Sequence, residues 1–504
     1  MADDTPRLGL GTFDEGEEWD HTDTVEAVDE HAIVHGPITE RPVAGEYDDE
    51  LFHATDQGIT WRWDDSSEDW QYFGGRGSAE QPVPGTSYFE AAHAVHARTA
   101  ETPVWNVEAH GIEGDGETEV GGAVHDLLKT VDKSGGGIVY FPPGRYLLER
   151  TPLVGDDTIV MGAGRSTVLE GTRPDGEEGR ALLANRGFDT TEYDGASNWG
   201  VCNVRIDTPK TTGIMPAHAA NVRLENIYGD HTYNHHIDVV SSKNVVVDGY
   251  WATRGGESGS DAPVQFDAQY SGASWNGVWD GSEYTLVEDD DTPTRNCTLK
   301  NFEIAPENGP EHGVHLHHGS NESITIMDGY ITGCEYTAIR ADPDEAVADL
   351  TIDGVSCIDT ARGITLGHVE SGRRELTINN TTIRTDDGDL AAGSGLYAAG
   401  FDGATISNVV VDGPFTNAII FDDMDDLKMS NVTAKGSDDQ AFRFRENVDV
   451  TLTTARAADC GTVGIYSGPG SSVAYGGVTF DDVGTQVDID DDGETRAWVT
   501  SESS

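Results

Sequence analysis

GVHLHHGSNESITIMDGYITGCEYTAIRA, from Gly313 to Ala341, decides the fold of this chain. A small residue opens a short run in which Val314 and Leu316 alternate with His315 and His317. A polar turn follows, then a second alternating run, ITIMDG from Ile324, and then AIRA from Ala338 starts the pattern again. The openings recur as GITL from Gly363, GLYA from Gly395, AIIF from Ala418, AFRF from Ala441 and GIYS from Gly464. The second runs recur as LTIDG, LTINN, ATISN, LKMSN and VTLTT. An interval of roughly 23 to 25 residues, with one longer coil after Gly363, is that of a β-solenoid repeat. Helical repeats of similar length need apolar residues at i, i+3 and i+4, whereas these runs alternate at period two. Each coil is too small to bury an apolar face alone, so the coils must stack into one continuous core. The pattern predicts an all-β chain, a right-handed parallel β-helix.

That winding predicts which distant residues meet. The second and fourth positions of each opening point inward, so the third and fifth face out. The first outward column reads Asp238, Gln265, His315, Arg340, Thr365, Tyr397, Ile420, Arg443, Tyr466. The second reads Val240, Asp267, His317, Asp342, Gly367, Ala399, Asp422, Arg445, Gly468. Adjacent rungs lie about 4.8 Å apart, which gathers Asp238, Gln265, Asp267, His315, His317, Arg340 and Asp342 into one patch. Asp267 and Asp342 fall about 9 to 10 Å apart along the axis, at the upper edge of the span for an inverting glycosidase pair. The other pairing sets Asp267 beside His317 as acid or base. Arg340 is placed to neutralise a uronate or hold a sugar oxygen, with Asp238, Gln265 and His315 as further sugar contacts. The insertion between Trp251 and Thr298 carries Tyr270, Trp275 and Trp279, aromatic faces suited to stacking on sugar rings. His231, His235 and His236 also fall near this wall, but no third ligand completes a metal site in HGVHLHH.

Composition narrows the function classes. Asp and Glu number 91 against 31 Lys and Arg, a net charge of −60 spread along the whole chain. This is the surface expected in molar salt, where the Debye length shrinks to about 3 Å, the rival reading being an acidic protein that binds cations or basic partners. No basic patch exists to neutralise phosphates, which argues against nucleic acid. No apolar run reaches the length of a membrane span. The opening MADDTPRLGLGTFDEG has neither a basic nor an apolar signal region, which predicts delivery to a glycan aboard a virus particle. Cys202, Cys297, Cys334, Cys357 and Cys460 are far apart and show no metal spacing, so buried free thiols are expected. No cofactor is required; acidic turns at Asp289 to Asp291 and Asp490 to Asp492 offer cation sites at most.

Along the chain, residues 1–45 read as an attachment segment and 46–75 as a β-hairpin module turning at DDSSED. Residues 76–104 combine a linker with a short helix, SYFEAAHAVHARTA from Ser87; 105–490 form the β-helix and 491–504 a tail. FHATDQGITWRWDDSSEDWQYF, Phe52 to Phe73, resembles a short segment common in viral tail fibres and tailspikes. Val107 to Gly171 carries a GDG turn, a helix over Gly121 to Lys133, the strand pair GGGIVYFPPGRY and the coil MGAG. It resembles the opening of pectate-lyase-superfamily β-helices, shared by pectate lyases, polygalacturonase-like hydrolases and viral tailspike depolymerases. ETEVGG replaces the usual acidic pair after GDG, which alters the helix cap and not the fold. The polygalacturonase active-site motifs and the pectate-lyase calcium pattern are absent, so no family residue is carried over.

The resemblance implies a virion-associated spike, fibre or turret of a halophilic virus, most like those of haloarchaeal viruses. It would bind the S-layer glycans or glycoproteins of its host and, in the enzymatic reading, degrade them. By the same resemblance it forms a homotrimer, joined to capsid or tail proteins through its N-terminal region. Two alternatives stay open: a free, extracellular polysaccharide lyase or glycoside hydrolase, and a non-enzymatic adhesive β-helix.

Overall fold

A computed structural model describes residues 34–36, 51–54, 59–64, 69–75, 103–173, 180–253, 262–269, 276–305, 309–318, 320–341, 346–367, 375–386, 388, 390–490 and 493–497. Two compact units divide the chain, residues 1–100 and 101–504. The first holds a four-stranded sheet of Val34–Gly36, Leu51–Ala54, Ile59–Asp64 and Asp69–Gly75. The last three strands run antiparallel, as the alternating aromatics predict, and Val34–Gly36 joins them in parallel from the preceding segment. The helix expected from Ser87 lies outside the described residues.

The second unit is a right-handed parallel β-helix of about 13 turns. It begins where Val104–Asn106 pairs with Gly137–Phe141, and its ladder reaches Glu494–Ala497, past residue 490. Three walls make each coil. The first is a short strand such as Ile237–Val240; the second and third are halves of one longer strand such as Ala220–Thr232. The bend within the long strand needs a left-handed backbone, and Asn203, Asn226, Asn301, Asn408 and Asn431 supply it at φ 53 to 55°. Asparagine tolerates this conformation because its short amide bonds locally. Here the amides also bond from coil to coil: Asn431 Nδ2 donates to Asn408 Oδ1 at 2.8 Å, and Asn408 Nδ2 to Asn380 Oδ1 at 3.1 Å.

The core is one stack of inward side chains, so its worth is set between neighbouring coils. Phe421 and Phe444, both fully buried, lie ring over ring with centroids 6.2 Å apart. Phe421→Ala is expected to cost about 3–5 kcal/mol. In a solenoid that loss is confined to adjoining coils. Hydrogen exchange should therefore lose protection in the coils of Tyr397, Ile420 and Arg443 and keep it near Val201; uniform loss throughout would contradict nearest-neighbour stacking. All five cysteines are buried free thiols, as expected.

The N-terminal end of the stack is closed by α1 (Gly121–Lys133), whose Val124, Leu127, Leu128 and Val131 are buried. Its cap shows what ETEVGG does. Val120 offers no side-chain bond, and Glu119 Oε1 accepts from the Gly121 N–H instead. The Asp115 carboxylate closes the GDG turn by accepting from the Glu117 and Thr118 N–H groups, both at 2.8 Å. Those bonds stabilise its charge, holding its pKa down to about 2.

Candidate functional site

The rungs lie in the predicted register. Asp238 pairs with Gln265, Gln265 with His315, His315 with Arg340 and Arg340 with Thr365. The column runs on through Tyr397, Ile420 and Arg443 to Tyr466. In the second column Val240 pairs with Asp267 and Asp267 with His317. Asp342, Tyr270 and Trp275 lie outside the described residues.

Facing outward does not mean facing water. Asp238, Asp267, Gln265 and His315 are 1, 2, 4 and 5 % exposed, while His317 and Arg340 are half-buried. The cause is an arm after Val264–Asp267 that folds back over earlier coils. Its hairpin, Gly277–Trp279 with Tyr284–Leu286, is antiparallel. Trp279 and Thr151 exchange bonds: the Thr151 N–H donates to the Trp279 carbonyl at 2.8 Å, and the Trp279 N–H to Thr151 Oγ1 at 3.2 Å. Farther along, Tyr193 Oη donates to the Pro293 carbonyl at 2.8 Å, and the Glu192 N–H to Asp290 Oδ2 at 2.6 Å. Val278 and Val287 fill a second apolar cluster with Ala184, Met215, Ala217 and Val240, on the outside of the first wall. Trp279 is thereby spent on packing: at 7 % exposure it is no platform for a sugar, contrary to the sequence expectation.

Where the arm returns to the wall, apolar contacts give way to a buried polar set. Gln265 Nε2 donates toward Asp238 Oδ1 at 3.5 Å and Asp267 Oδ2 at 3.3 Å, tying the two carboxyls together. Asn276, on the arm, donates to the same Asp267 oxygen at 3.0 Å and to Gln269 Oε1 at 3.1 Å. Burial pushes the Asp238 carboxyl up to about 7, with the Gln265 bond opposing it. One shared amide nitrogen holds the two carboxyls within about 7 Å, the scale on which two acids flank a glycosidic bond.

The next rungs carry the histidines. Ring centroids of His312 and His315 are 5.0 Å apart, and those of His315 and His317 4.4 Å. Arg340 Nη1 donates to His312 Nε2 at 2.8 Å. Tyr336 sits between two guanidiniums, Arg362 at 4.3 Å and Arg340 at 5.3 Å from its ring, and its hydroxyl accepts from Arg362 Nη1 at 2.6 Å. His235 and His236 serve the coil instead. His235 bonds the Ala262 carbonyl and His236 the Tyr250 hydroxyl, each at 2.7 Å, and burial drops both to about 4.

One further cluster could hold a cation: ligand atoms of Asp207, Asp230 and His231 lie within 4.8 Å of one another. Arg145 bonds Asp207 at 3.1 Å and also Glu170, and Arg205 pairs with Asp230. Two guanidiniums already balance these carboxylates, so the donor set reads as an ion-pair network on the third wall. At the acidic turns, Asp290 accepts from the Glu192 and Thr292 N–H groups, and Tyr466 Oη donates to Asp490. Sequence reasoning did not find Asn276 or Gln269, since an arm without period gives no register to place them. Arg362 and Tyr336 were missed because they precede the quoted openings.

Residues 104–270, a third of the chain, match the family described as rhamnogalacturonase A/epimerase, pectate lyase-like. No curated protein matches. Among solved structures, the chain is similar to PfbA, a surface adhesin of Streptococcus pneumoniae. Identity there is 14 %, over 76 % of this chain and 91 % of that one, with a TM-score of 0.49. It is also similar to a family 28 exopolygalacturonase of Yersinia enterocolitica, at 11 % identity over 86 % and 83 % and a TM-score of 0.48. Tailspike protein 3 of bacteriophage CBA120 gives 11 %, 95 %, 80 % and 0.47.

Proposed function

We propose that this chain is a virion spike or fibre protein of a halophilic virus, adsorbing to host surface glycans through the first wall of its β-helix. The carrying observation is that wall itself: Asp238, Gln265, Asp267, His315, His317 and Arg340 meet on consecutive rungs although they span a hundred residues of sequence. Hydroxyl-rich ligands are recognised by such mixed, orientated donors and acceptors. The net charge of −60 supports a working environment of high salt. The small aromatic sheet of the first unit supports a fibre-type anchor, and a homotrimer is part of the same proposal.

Cleavage follows from the same geometry if the two acids divide their roles. Asp238, whose carboxyl burial pushes up to about 7, donates a proton to the leaving oxygen. Asp267, which accepts hydrogen bonds from Gln265 and Asn276, activates water. With Asp238, Gln265, Asp267 and His315 buried, first contact with a glycan on this wall falls to the half-buried His317 and Arg340, and cleavage additionally needs the carboxyls uncovered. Purified protein in 3 M NaCl should be retained by host envelope. Release of reducing ends or unsaturated sugars, falling about a hundredfold in Asp267→Asn at unchanged melting temperature, assigns the chemistry. Retention without products leaves adhesion alone, and absence of retention removes the proposal.

A further inference from the structure

Beyond the carboxyl pair, the same wall opens into a groove of about 290 Å³ between the rungs of Thr365 and Ile420. It is lined by Tyr397 and Ile420, neighbours in the outward column, and by Arg362, Thr365, Ser394 and Asn417. The volume suits one pyranose ring, and one aromatic wall with a few convergent polar groups is how such sites are built.

Polar accounting adds to the case for this groove. Arg362 Nε, Thr365 Oγ1 and Asn417 Oδ1 are buried, and none has a hydrogen-bond partner in the protein. Asn417 is only 4 % exposed. Buried polar atoms in folded proteins are nearly always satisfied, so three orphans at one groove leave bonding capacity for a ligand or for water. A donor, an acceptor and a hydroxyl that can serve as either match the ring hydroxyls of a sugar. Arg362 is itself held in place by the Tyr336 hydroxyl and ring, so its remaining N–H is aimed without further ordering.

We infer that this groove is a separate sugar subsite, in which one pyranose unit packs on Tyr397 while its hydroxyls bond Arg362, Thr365 and Asn417. The inference rests on the reading of the first wall as a glycan site and extends it. Three rungs separate Thr365 from Gln265, about 14 Å, so the same glycan strand can reach both places with two or three sugar units between. The groove anchors the strand, and the buried acids lie toward the N-terminal end of the same track.

Saturation-transfer NMR on the full chain in 3 M NaCl tests this, with methyl α-D-glucopyranoside and methyl α-D-galacturonoside as probes. Transfer to at least one probe is expected. It should weaken at least tenfold in Tyr397→Ala and persist in Tyr397→Phe, which keeps the ring. Absence of transfer to both probes, or equal transfer in wild type and Tyr397→Ala, overturns the subsite. The two proposals fail separately. Host envelope retained equally by wild type and Tyr397→Ala removes this subsite alone. Probe binding that Tyr397→Ala abolishes, without envelope retention, removes the host-glycan reading alone.

Discussion

Transfer from 3 M to 0.1 M NaCl will lower the melting temperature of the β-helix by at least about 10 °C, a loss of several kcal/mol. The reason is geometric as well as compositional. Stacking places like residues one rung apart, and two exposed carboxylates about 5 Å apart repel by roughly 0.8 kcal/mol even in water. Glu375, Asp402 and Asp426 line one polar groove of about 280 Å³ with Lys428 as the single cation among its lining residues. Asp422 is raised chiefly by burial, with Glu446 and Asp423 adding to the rise and Arg445, 3.1 Å away, opposing it. With 91 acids against 31 bases most such contacts have no cation to spare. At 0.1 M the Debye length of about 10 Å lets several rungs repel at once, whereas near 1 M about 3 Å isolates each charge. KCl should act like NaCl, and sucrose should not substitute, because screening and not preferential exclusion is at work. A melting temperature that varies by no more than a few degrees over this range would remove the argument for a halophilic setting.

The pattern of GVHL and ITIMDG was enough to give the architecture because a β-coil has no freedom to hide its period. Inward positions must be apolar, and one slip in register would expose the whole set. Column partners followed from the same constraint, from Asp238 to Tyr466. The exposure of those partners was not legible. Whether Asp238 meets water depends on an arm whose anchors, Thr151 and Glu192, lie far upstream and follow no repeat. Trp279 shows the limit best: an aromatic in a polar insertion suits a sugar platform and a packing anchor equally, and only its burial in the folded chain decides. The histidine concentration likewise conflated two groups. His235 and His236 are bonded into the coil, whereas His312, His315, His317 and His318 cluster beside Arg340.

Replacing Asp238 with asparagine will stabilise the protein above neutrality and make little difference in acid. Buried beside Gln265, the folded carboxyl titrates near 7, against an ordinary value of 3.8. Between those values the native state holds a proton that the unfolded chain has released. The contribution of Asp238 is therefore full below about pH 4 and is lost as pH rises through about 7. Its ceiling is on the order of 4 kcal/mol, from about 1.4 kcal/mol per pH unit of displacement. His235 and His236 work in the opposite sense. Burial lowers both to about 4 from 6.5, so their contribution is present above pH 6.5 and lost as pH falls through about 4. Wild-type stability alone mixes these slopes, and the difference between Asp238→Asn and wild type isolates the carboxyl. Denaturant melts in 3 M NaCl should show that difference growing from pH 4 to 7 and flat above. Asp267→Asn should move the Asp238 step to lower pH, because a negative charge within about 7 Å disfavours the second ionisation. Parallel pH curves for wild type and Asp238→Asn would show that the buried pair does not exist as drawn, and the acid–base division of labour would fall with it.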